Sequence, residues 1–251
     1  MKIGHKIIRL KTCSSTNDLA IEMALKGDPE GTVVVSETQT RGRGRKQRVW
    51  FSPRGKGLYM SVILRPPKSN ISLLSLAAGM AVSDATRDTA GIRVLLKWPN
   101  DLVWQKWKLG GILCESSFLG NHLNYVILGI GLNISQRKED FPGELLSSSI
   151  SIEAITNKEI DRKILLEKVL EALNYWYSLF LNKHDGEIEV LFRKYSVVPI
   201  GKEIVIETDM GNISGVYNGI DTHGGLILNI GGKDSSFYDA RIKIIKGLTE
   251  G

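Results

Sequence analysis

The chain has 251 residues, 24% of them charged and 42% hydrophobic, which is typical of a folded globular protein and excludes wholesale disorder. This length allows one large domain with a smaller one beside it. The formal net charge is +6, and five cations fall within residues 41–48, so the basic character is local. A general nucleic-acid-binding surface is therefore disfavoured.

Cysteine and histidine usage disfavours a disulfide framework and a His/Cys metal site. Cys13 and Cys114 lie far apart and form no CxxC pair. The histidines are isolated from one another and from cysteine, at His5, His122, His184 and His223. The N-terminus lacks the apolar core of a signal peptide, and no apolar run approaches the ~18 residues of a membrane span, so we expect a cytoplasmic protein.

The first ninety or so residues alternate strand and helix patterns. A short strand precedes a helix near Ser15, where Ser15 and Asp18 have the spacing of a capping box. A strand is predicted over residues 32–37, and the segment FSPRGKGLYMSVILRPP predicts a turn and a strand that stops at Pro66. Apolar residues at helical spacing then predict a long helix over residues 71–90.

Three further strands are predicted after this helix, at residues 92–98, 108–118 and 124–134. The segment between the first two has the turn chemistry of Pro99-Asn100-Asp101.

Two predicted helices precede a segment in which the residue pattern changes from helical to β. The first is predicted from its N-cap Asp161 to Asn182, and the second covers residues 187–195. From Pro199 onward, short β runs alternate with Gly/Asp/Asn turns at intervals of about ten residues, which is typical of a small all-β barrel. We therefore divide the chain into a large domain, residues 1–197, and a small β domain, residues 198–251.

Residues 37–50 (ETQTRGRGRKQRVW) predict an exposed basic loop. Glycine resists helix and strand and readily takes positive φ, and here it alternates with cations: Arg41, Gly42, Arg43, Gly44, Arg45, Lys46 and Arg48. Guanidinium forks and turn amides suit a polyanion, which is either the phosphates of a nucleotide or a nucleic-acid backbone. A solvated surface loop is an equally good interpretation of this stretch alone.

Three other clusters are weak one by one. Ser15-Thr16-Asn17 at a helix start suits plain capping or a small polar ligand head. Lys97–Asp101 (KWPND) with Lys108 suits charge stabilisation on a phosphate or carbonyl oxygen, or a charged loop before a buried strand. Residues 129–133 (GIGLN) lack the third glycine and the helix of a dinucleotide fingerprint. Together the four clusters indicate an enzyme that joins a carboxylic acid to a nucleotide.

The order and spacing of these motifs resemble those of biotin protein ligases. The motifs are SSTND (14–18), ETQTRGRGRKQRVW (37–50), KWPNDL (97–102), KLGGIL (108–113) and GIGLN (129–133). The resemblance implies an α+β fold, with a mixed or antiparallel sheet flanked by helices as in class II aminoacyl-tRNA synthetases, followed by a small SH3-like barrel. Regulatory members carry an N-terminal helix-turn-helix domain. This chain starts almost directly on the catalytic motifs, so we expect the monofunctional type.

The resemblance also implies a reaction and its partners. Biotin and ATP give biotinoyl-5′-AMP and pyrophosphate, and biotin then passes to a lysine of a biotin carboxyl carrier protein or carboxylase carrier domain. Mg²⁺ is expected to travel with the phosphates, without a dedicated protein metal site. A homodimer is common in the family and is expected here, whereas DNA and membrane partners are not.

By resemblance, site residues are assigned to two ligands and to catalysis. Biotin contacts are expected from Ser15, Thr16, Asn17, Gln39, Gly42, Arg43, Gly44, Arg45, Trp50, Lys108, Gly111, Ile112, Gly129 and Gly131. ATP contacts are expected from Arg43, Arg45, Asn100, Asp101, Lys108 and Asn133. The catalytic residues are expected to be Lys108, Arg45 and Asp101. The basic loop is expected to order over the adenylate as a lid, with Arg41, Lys46 and Arg48 in solvent.

Two positions depart from the family pattern, and two alternative functions stay open. Gln47 stands where the family usually has Gly, and Gly110 stands where Ala is common, which looks benign. A lipoate ligase or acyl-carrier transferase would share the scaffold, but it is not expected to have both GRGR and KWPND. A nucleic-acid-binding protein would leave Lys108 and the glycine-containing strand unexplained.

Overall fold

The computed structural model describes residues 2–67, 70–182 and 185–245, so His184 and residues 246–251 lie outside the described ranges. The strands are β1 (Lys6–Leu10), β2 (Thr32–Ser36), β3 (Gly57–Leu64), β4 (Leu95–Lys97), β5 (Asp101–Trp104), β6 (Trp107–Leu119), β7 (His122–Asn133), β8 (Glu203–Thr208), β9 (Gly211–Ile220), β10 (Leu226–Ile230), β11 (Lys233–Phe237) and β12 (Arg241–Ile245). The helices are α1 (Thr16–Leu25), α2 (Ile71–Ala90), α3 (Gly143–Leu146), α4 (Ile152–Thr156), α5 (Arg162–Leu181) and α6 (Asp185–Tyr195). Short 3₁₀ turns span Arg45–Gln47 and Lys138–Asp140.

A seven-stranded mixed sheet forms the large part of the molecule. Its strand order is β1-β2-β3-β7-β6-β5-β4. The β1–β2 pair is parallel because α1 connects the two strands, and the remaining pairs are antiparallel. The predicted α+β fold is confirmed.

The two faces of this sheet are covered differently. Helices α2 and α5 pack together on one face and form the main hydrophobic core, to which Val62 and Met80 contribute fully buried side chains. The other face is covered by α1 over β2, β3 and β7, with a smaller cluster that includes Ala20 and Ile63. The rest of that second face is left open for the site.

Strand alternation explains which side chains reach the open face. In β7, Ile130 points into the main core, so Gly129 and Gly131 face the other way. In β6, Ile112 is buried in the core while Gly111 faces the open side. The Ile112 side chain therefore does not face the open side, and the expected biotin contact of this residue stays a prediction.

Most predicted elements are confirmed with small boundary shifts. Helix α2 ends at Gly91, which has φ 69°, and Asp161 caps α5 by accepting from the backbone nitrogens of Lys163 and Ile164. The Ser15 capping box is wrong, because the Ser15 side chain makes no capping hydrogen bond. Strands β5 and β11 were missed, since DLVW lies next to a strong turn signal and KDSSF is mostly polar.

The C-terminal strands form a separate five-stranded antiparallel sheet in the order β11-β10-β9-β8-β12, which resembles an SH3-like barrel. The Nε1 of Trp98, beside the cis Trp98–Pro99 bond, donates to the Gly224 carbonyl of this barrel at 3.0 Å. A Cβ at Gly224 would lie 2.5 Å from the backbone nitrogen of Leu73, so the close contact requires glycine. The predicted boundary at residues 197 and 198 stays a prediction.

Candidate active site

A cavity of about 610 Å³ lies between the open face of the large sheet, the basic loop and the small barrel. Every predicted site residue except Gly42 lines it, and those residues are Ser15, Thr16, Asn17, Gln39, Arg43, Gly44, Arg45, Trp50, Asn100, Asp101, Lys108, Gly111, Ile112, Gly129, Gly131 and Asn133. Within the described ranges, no three His, Cys, Asp or Glu side chains form a metal-binding group, and no helix is long and apolar enough to cross a membrane.

The floor of the cavity follows from strand register. Gly131 pairs with Gly111, Gly111 with Asp101, and Asp101 with Lys97, so these four residues form one row across β7, β6, β5 and β4. Neighbouring strands are about 4.8 Å apart, so the row spans roughly 14 Å. The glycines leave space at one end of the row, and charged side chains stand at the other.

The two β7 glycines make room for protein side chains. A Cβ at Gly129 would lie 2.3 Å from the Oδ1 of Asn17, and a Cβ at Gly131 would lie 2.5 Å from the Nε1 of Trp50. Asn17 and Trp50 therefore stand directly on this strand and form walls of the cavity. Asn17, Trp50 and both glycines were expected to contact biotin.

What we call the polar end of the cavity consists of Thr16, Asn17 and Gln39, which line it, and of Ser61, which is fully buried and does not line it. The backbone nitrogen of Thr16 donates to Gln39 Oε1 at 2.8 Å, and the Thr16 hydroxyl lies 3.1 Å from the same oxygen. The Ser61 hydroxyl lies 2.7 Å from Thr16 Oγ1 and 2.5 Å from Asn17 Oδ1. All four side chains are fixed by hydrogen bonds to one another. Ser61 was not predicted as a site residue, because it lies inside a mostly apolar strand.

Arg43 turns toward this polar end. Its guanidinium forms a bidentate pair with Glu115, with both distances at 2.8 Å, and lies 2.6 Å from Asp18. Burial lowers the Arg43 pKa, but the hydrogen bond and charge of Glu115, followed by Asp18, outweigh it and raise the pKa overall. Because two carboxylates already balance this charge, the geometry does not support the predicted phosphate contact of Arg43.

Lys108 and Asp101 form an ion pair over the middle of the floor, with Lys108 Nζ 2.5 Å from Asp101 Oδ1. Lys108 lies where the β5–β6 register shifts, and its backbone is tied to Ser148 and Ile150. Its Nζ is 5.6 Å from the centroid of the Trp50 ring. A bulge with fixed backbone re-aims a side chain, which explains how Lys108 reaches the open face.

Asn100 and Asn133 hold the site together through their amides. Asn100 Nδ2 donates to the Ile112 carbonyl at 2.8 Å, and the Ile112 nitrogen donates back to the Asn100 carbonyl at 2.9 Å. Asn133 Nδ2 donates to the Ile150 carbonyl, and its Oδ1 accepts from Gln136. Both residues line the cavity, and their ATP contacts stay predictions.

The basic loop folds back on itself. Trp50 N donates to the Gly42 carbonyl at 2.8 Å, and a Cβ at Gly42 would lie 2.5 Å from the Trp50 carbonyl oxygen. Gly42 therefore serves loop packing. It does not line the cavity, although a biotin contact was expected from it. Lys46 and Gln47 have φ of 52° and 59°, which favours glycine. This conformation explains why a glycine is usual at the position of Gln47.

Gly110 on β6 also fits tightly, because a Cβ there would lie 2.7 Å from the Gly131 carbonyl oxygen.

Ion pairs connect the basic loop to the small barrel. Arg45 lies 3.0 Å from Asp239, and Lys46 lies 3.0 Å from Asp209 and 3.6 Å from Asp239. Arg41 and Arg48 are exposed as predicted, whereas Lys46 is paired and not simply solvated. The hydrogen bond that Lys46 donates to Asp209 raises the Lys46 pKa. Whether the loop orders on ligand binding stays a prediction.

Lys97, Arg241 and Lys243 form what we call the cationic end of the cavity. Arg241 and Lys243 are two residues apart on β12 and both pair with Glu207 of β8. Lys97 is half-buried and makes no ion pair with a described carboxylate. Burial lowers the Lys97 pKa, Asp101 opposes this effect, and the charges of Arg241 and Lys108 add to it. The barrel residues could not be found from sequence, because only the fold brings them to this site.

Three comparisons with known proteins agree. The Biotin/lipoate A/B protein ligase family model matches residues 10–133. The bifunctional ligase/repressor BirA of Bacillus subtilis is 35% identical over 244 residues, which cover 96% of this chain and 75% of that protein. The biotin–[acetyl-CoA-carboxylase] ligase of Mycobacterium tuberculosis is 32% identical over 232 residues, which cover 89% of this chain and 82% of that protein.

The solved structures give the same result. Biotin protein ligase from Aquifex aeolicus in complex with biotin and ATP has a TM-score of 0.80 and 31% identity, covering 95% of this chain and 98% of that chain. The fold, the motif order and the identity over most of the chain are therefore consistent with one another. This chain belongs to the biotin protein ligase family.

Proposed function

We propose that this chain activates biotin with ATP, forming biotinoyl-5′-AMP and pyrophosphate, and transfers biotin to a lysine of a biotin carboxyl carrier protein. The observation that supports this most directly is a single cavity in which the polar end, the Lys108–Asp101 pair and the cationic end follow one another. The Aquifex aeolicus relative was solved with biotin and ATP. Biotin and ATP together need a polar pocket, a charged group at the reacting atoms and a cationic pocket for phosphates, in that order.

Biotin is assigned to the polar end and the adjoining floor. Its cyclic urea presents one carbonyl acceptor and two N–H donors, which need a few fixed polar partners. Thr16, Asn17 and Gln39 supply such partners. The sulfur ring and alkyl chain then lie between Trp50 and the glycine floor, which directs the carboxylate toward Lys108.

Lys108 acts on the first step. A biotin carboxylate oxygen attacks the α-phosphorus of ATP, a P–O bond forms, and the bond to pyrophosphate breaks. The Lys108 ammonium contacts the carboxylate and the α-phosphate oxygens, where a donor aimed at developing charge contributes about 3 kcal/mol. Asp101 holds this ammonium in place at 2.5 Å before substrates arrive.

The departing pyrophosphate is assigned to the cationic end. Lys97 is a cation without a paired carboxylate among the described residues, and Arg241 and Lys243 share the single carboxylate of Glu207. The surplus positive charge suits the β- and γ-phosphates of ATP. The small barrel thus completes the nucleotide site.

Mg²⁺ is proposed to arrive with ATP. The described residues hold no cluster of three metal-binding side chains. In nucleotide complexes Mg²⁺ does not need such a cluster, because it keeps several waters and is held by the phosphates and one or two carboxylates. Bound there, Mg²⁺ would supply charge neutralisation of the phosphates, and the carboxylates on the cavity wall are Asp101, Glu207 and Asp209.

In the second step, the carrier lysine attacks the acyl carbon, an amide bond forms and AMP leaves. Asp101 is the carboxylate placed to orient and deprotonate that amine. The basic loop shields the mixed anhydride, because water would hydrolyse it. We further propose a cytoplasmic homodimer. The free Cys13 and Cys114 support a reducing location, and the family resemblance supports the dimer.

Thermal shift and isotope exchange test this proposal. Biotin at about a hundred times its dissociation constant should raise the melting temperature by roughly 5–10 °C, while lipoate and an oligonucleotide should not. Exchange of labelled pyrophosphate into ATP should require biotin. A shift with lipoate alone would move the assignment to the other branch of the matched family, and a shift with the oligonucleotide alone would refute the enzyme reading.

A further inference from the structure

Glu115 is a half-buried carboxylate that the reaction above does not use. It lies on β6 behind Asn17 and Arg43, and it is not among the residues that line the cavity. Strand alternation puts it on the same face as Gly111 and Leu113. A partly buried charge needs compensating partners, since an unpaired one is costly.

Arg43 of the basic loop and Asn17 of the polar end compensate this charge. Arg43 approaches it with both terminal nitrogens, each at 2.8 Å, and Asn17 Nδ2 donates to Oε2 at 2.7 Å. Bidentate charge-assisted hydrogen bonds are among the strongest in proteins and have strict geometry. Glu115 therefore connects the start of α1 to the basic loop through one side chain.

The chemistry of a carboxylate fixes the orientation of Asn17. An ionised carboxylate only accepts hydrogen bonds, so Asn17 must present its NH₂ group to Glu115. Its Oδ1 then points to Ser61, whose hydroxyl lies 2.5 Å away. With a neutral amide in place of Glu115, Asn17 would find a partner in either orientation.

This orientation is passed along the polar end. Ser61 has one proton, so donating it to Asn17 leaves only a lone pair for Thr16. The Thr16 hydroxyl then donates to Ser61 at 2.7 Å, Gln39 Oε1 accepts from the Thr16 backbone nitrogen at 2.8 Å, and Gln39 Nε2 donates to Ser52 at 2.9 Å. Hydrogen bonds in such a chain polarise one another.

We infer that Glu115 is a positioning residue that sets the donor and acceptor pattern of the polar end, and thereby its selectivity for a neutral cyclic urea. The inference rests on the proposed function and deepens it. Glu115 touches neither substrate. It acts through the fixed amide of Asn17 and through Arg43, which it holds away from the phosphates.

Steady-state kinetics of Glu115→Gln test the inference. The change keeps the shape but removes the charge, so the KM for biotin should rise roughly 10- to 100-fold, the range expected for hydrogen bonds to a charged group. The KM for ATP should change less than about threefold, because the cationic end is untouched. Equal rises in both constants, or a lower melting temperature with an unchanged biotin KM, would overturn the inference.

Matched variants separate orientation from charge pairing. Asp18→Asn removes the other partner of Arg43, but Asp18 is 42% exposed against 28% for Glu115, so its effect on biotin KM should stay below about fivefold. Glu115→Asp keeps the charge and should give an intermediate biotin KM, and it replaces Glu115→Gln if that variant does not fold. Equal effects of Asp18→Asn and Glu115→Gln would overturn the inference. The exposed Glu171→Gln on α5 should leave all constants unchanged.

The wild-type protein distinguishes the two possible failures. If biotin neither shifts its melting temperature nor supports pyrophosphate exchange, the proposed function fails and this inference fails with it. If wild type responds to biotin but Glu115→Gln has the same biotin KM, only the role of Glu115 is wrong.

Discussion

The polar end and the cationic end of the cavity differ in how their groups are satisfied. At the polar end, Thr16, Asn17 and Gln39 are held by protein partners from the large sheet side alone. At the cationic end, Lys97 lacks a described carboxylate partner, and the other cations come from the small barrel. The first end is pre-organised for a neutral ligand, and the second is electrostatically incomplete until an anion binds. The cavity thus offers the two proposed ligands different environments, one already satisfied by hydrogen bonds and one with surplus positive charge.

Lys108→Ala should have the largest effect, because it removes the group between the two ends. Biotin-dependent pyrophosphate exchange should fall by at least about 100-fold, corresponding to the loss of roughly 3 kcal/mol of transition-state stabilisation. Exchange assays together with the melting temperature check this. Near-normal exchange in a folded Lys108→Ala protein would remove Lys108 from the mechanism.

Lys97→Met should weaken ATP binding at the cationic end without affecting the polar end. Losing this cation should raise the KM for ATP by roughly 10- to 100-fold and leave the KM for biotin almost unchanged. The melting temperature should not fall, since burial already disfavours the charged form and lowers the Lys97 pKa. Lys106→Met is the matched control, because Lys106 stacks on Trp107 and does not line the cavity. Equal effects from both variants would refute the phosphate assignment.

Asp239→Asn tests the ion pair between the basic loop and the small barrel. It removes the carboxylate that competes with phosphate for Arg45, which lies 3.0 Å away. Exposed pairs contribute only about 0–1 kcal/mol, so the KM for ATP should fall by no more than about fivefold. The difference from wild type should shrink at high salt. A rise in the KM for ATP would show that this pair supports the site.

Gln47→Gly should have the smallest effect, a change in melting temperature alone. Gln47 belongs to the basic loop. Gln47 has φ 59°, and a left-handed conformation costs a non-glycine residue about 1–2 kcal/mol. Relieving that strain should raise the melting temperature by roughly 2–4 °C. Arg48→Gly is the control, because Arg48 has φ −66° and glycine there should lower the melting temperature. A higher melting temperature in both variants would contradict the strain argument.

Local patterns determined much of the fold. Apolar periodicity located α2 and α5, glycine and aspartate marked their ends, and turn spacing identified the small barrel. These features depend on neighbours within a few residues, so one sequence is enough to predict them. Strand β5 escaped because a strong turn signal and a short strand overlap at Asp101.

The motifs also determined which residues meet, but not what they contact. Thr16, Gln39 and Lys108 were placed at the site from sequence, since their spacing matches a family. Only the tertiary structure decided that Arg43 turns to Glu115 and that Ile112 faces the core. It alone brought Arg241 and Lys243 to the cationic end. Such contacts depend on strand register and on the packing of two sheets, which join residues far apart in the chain.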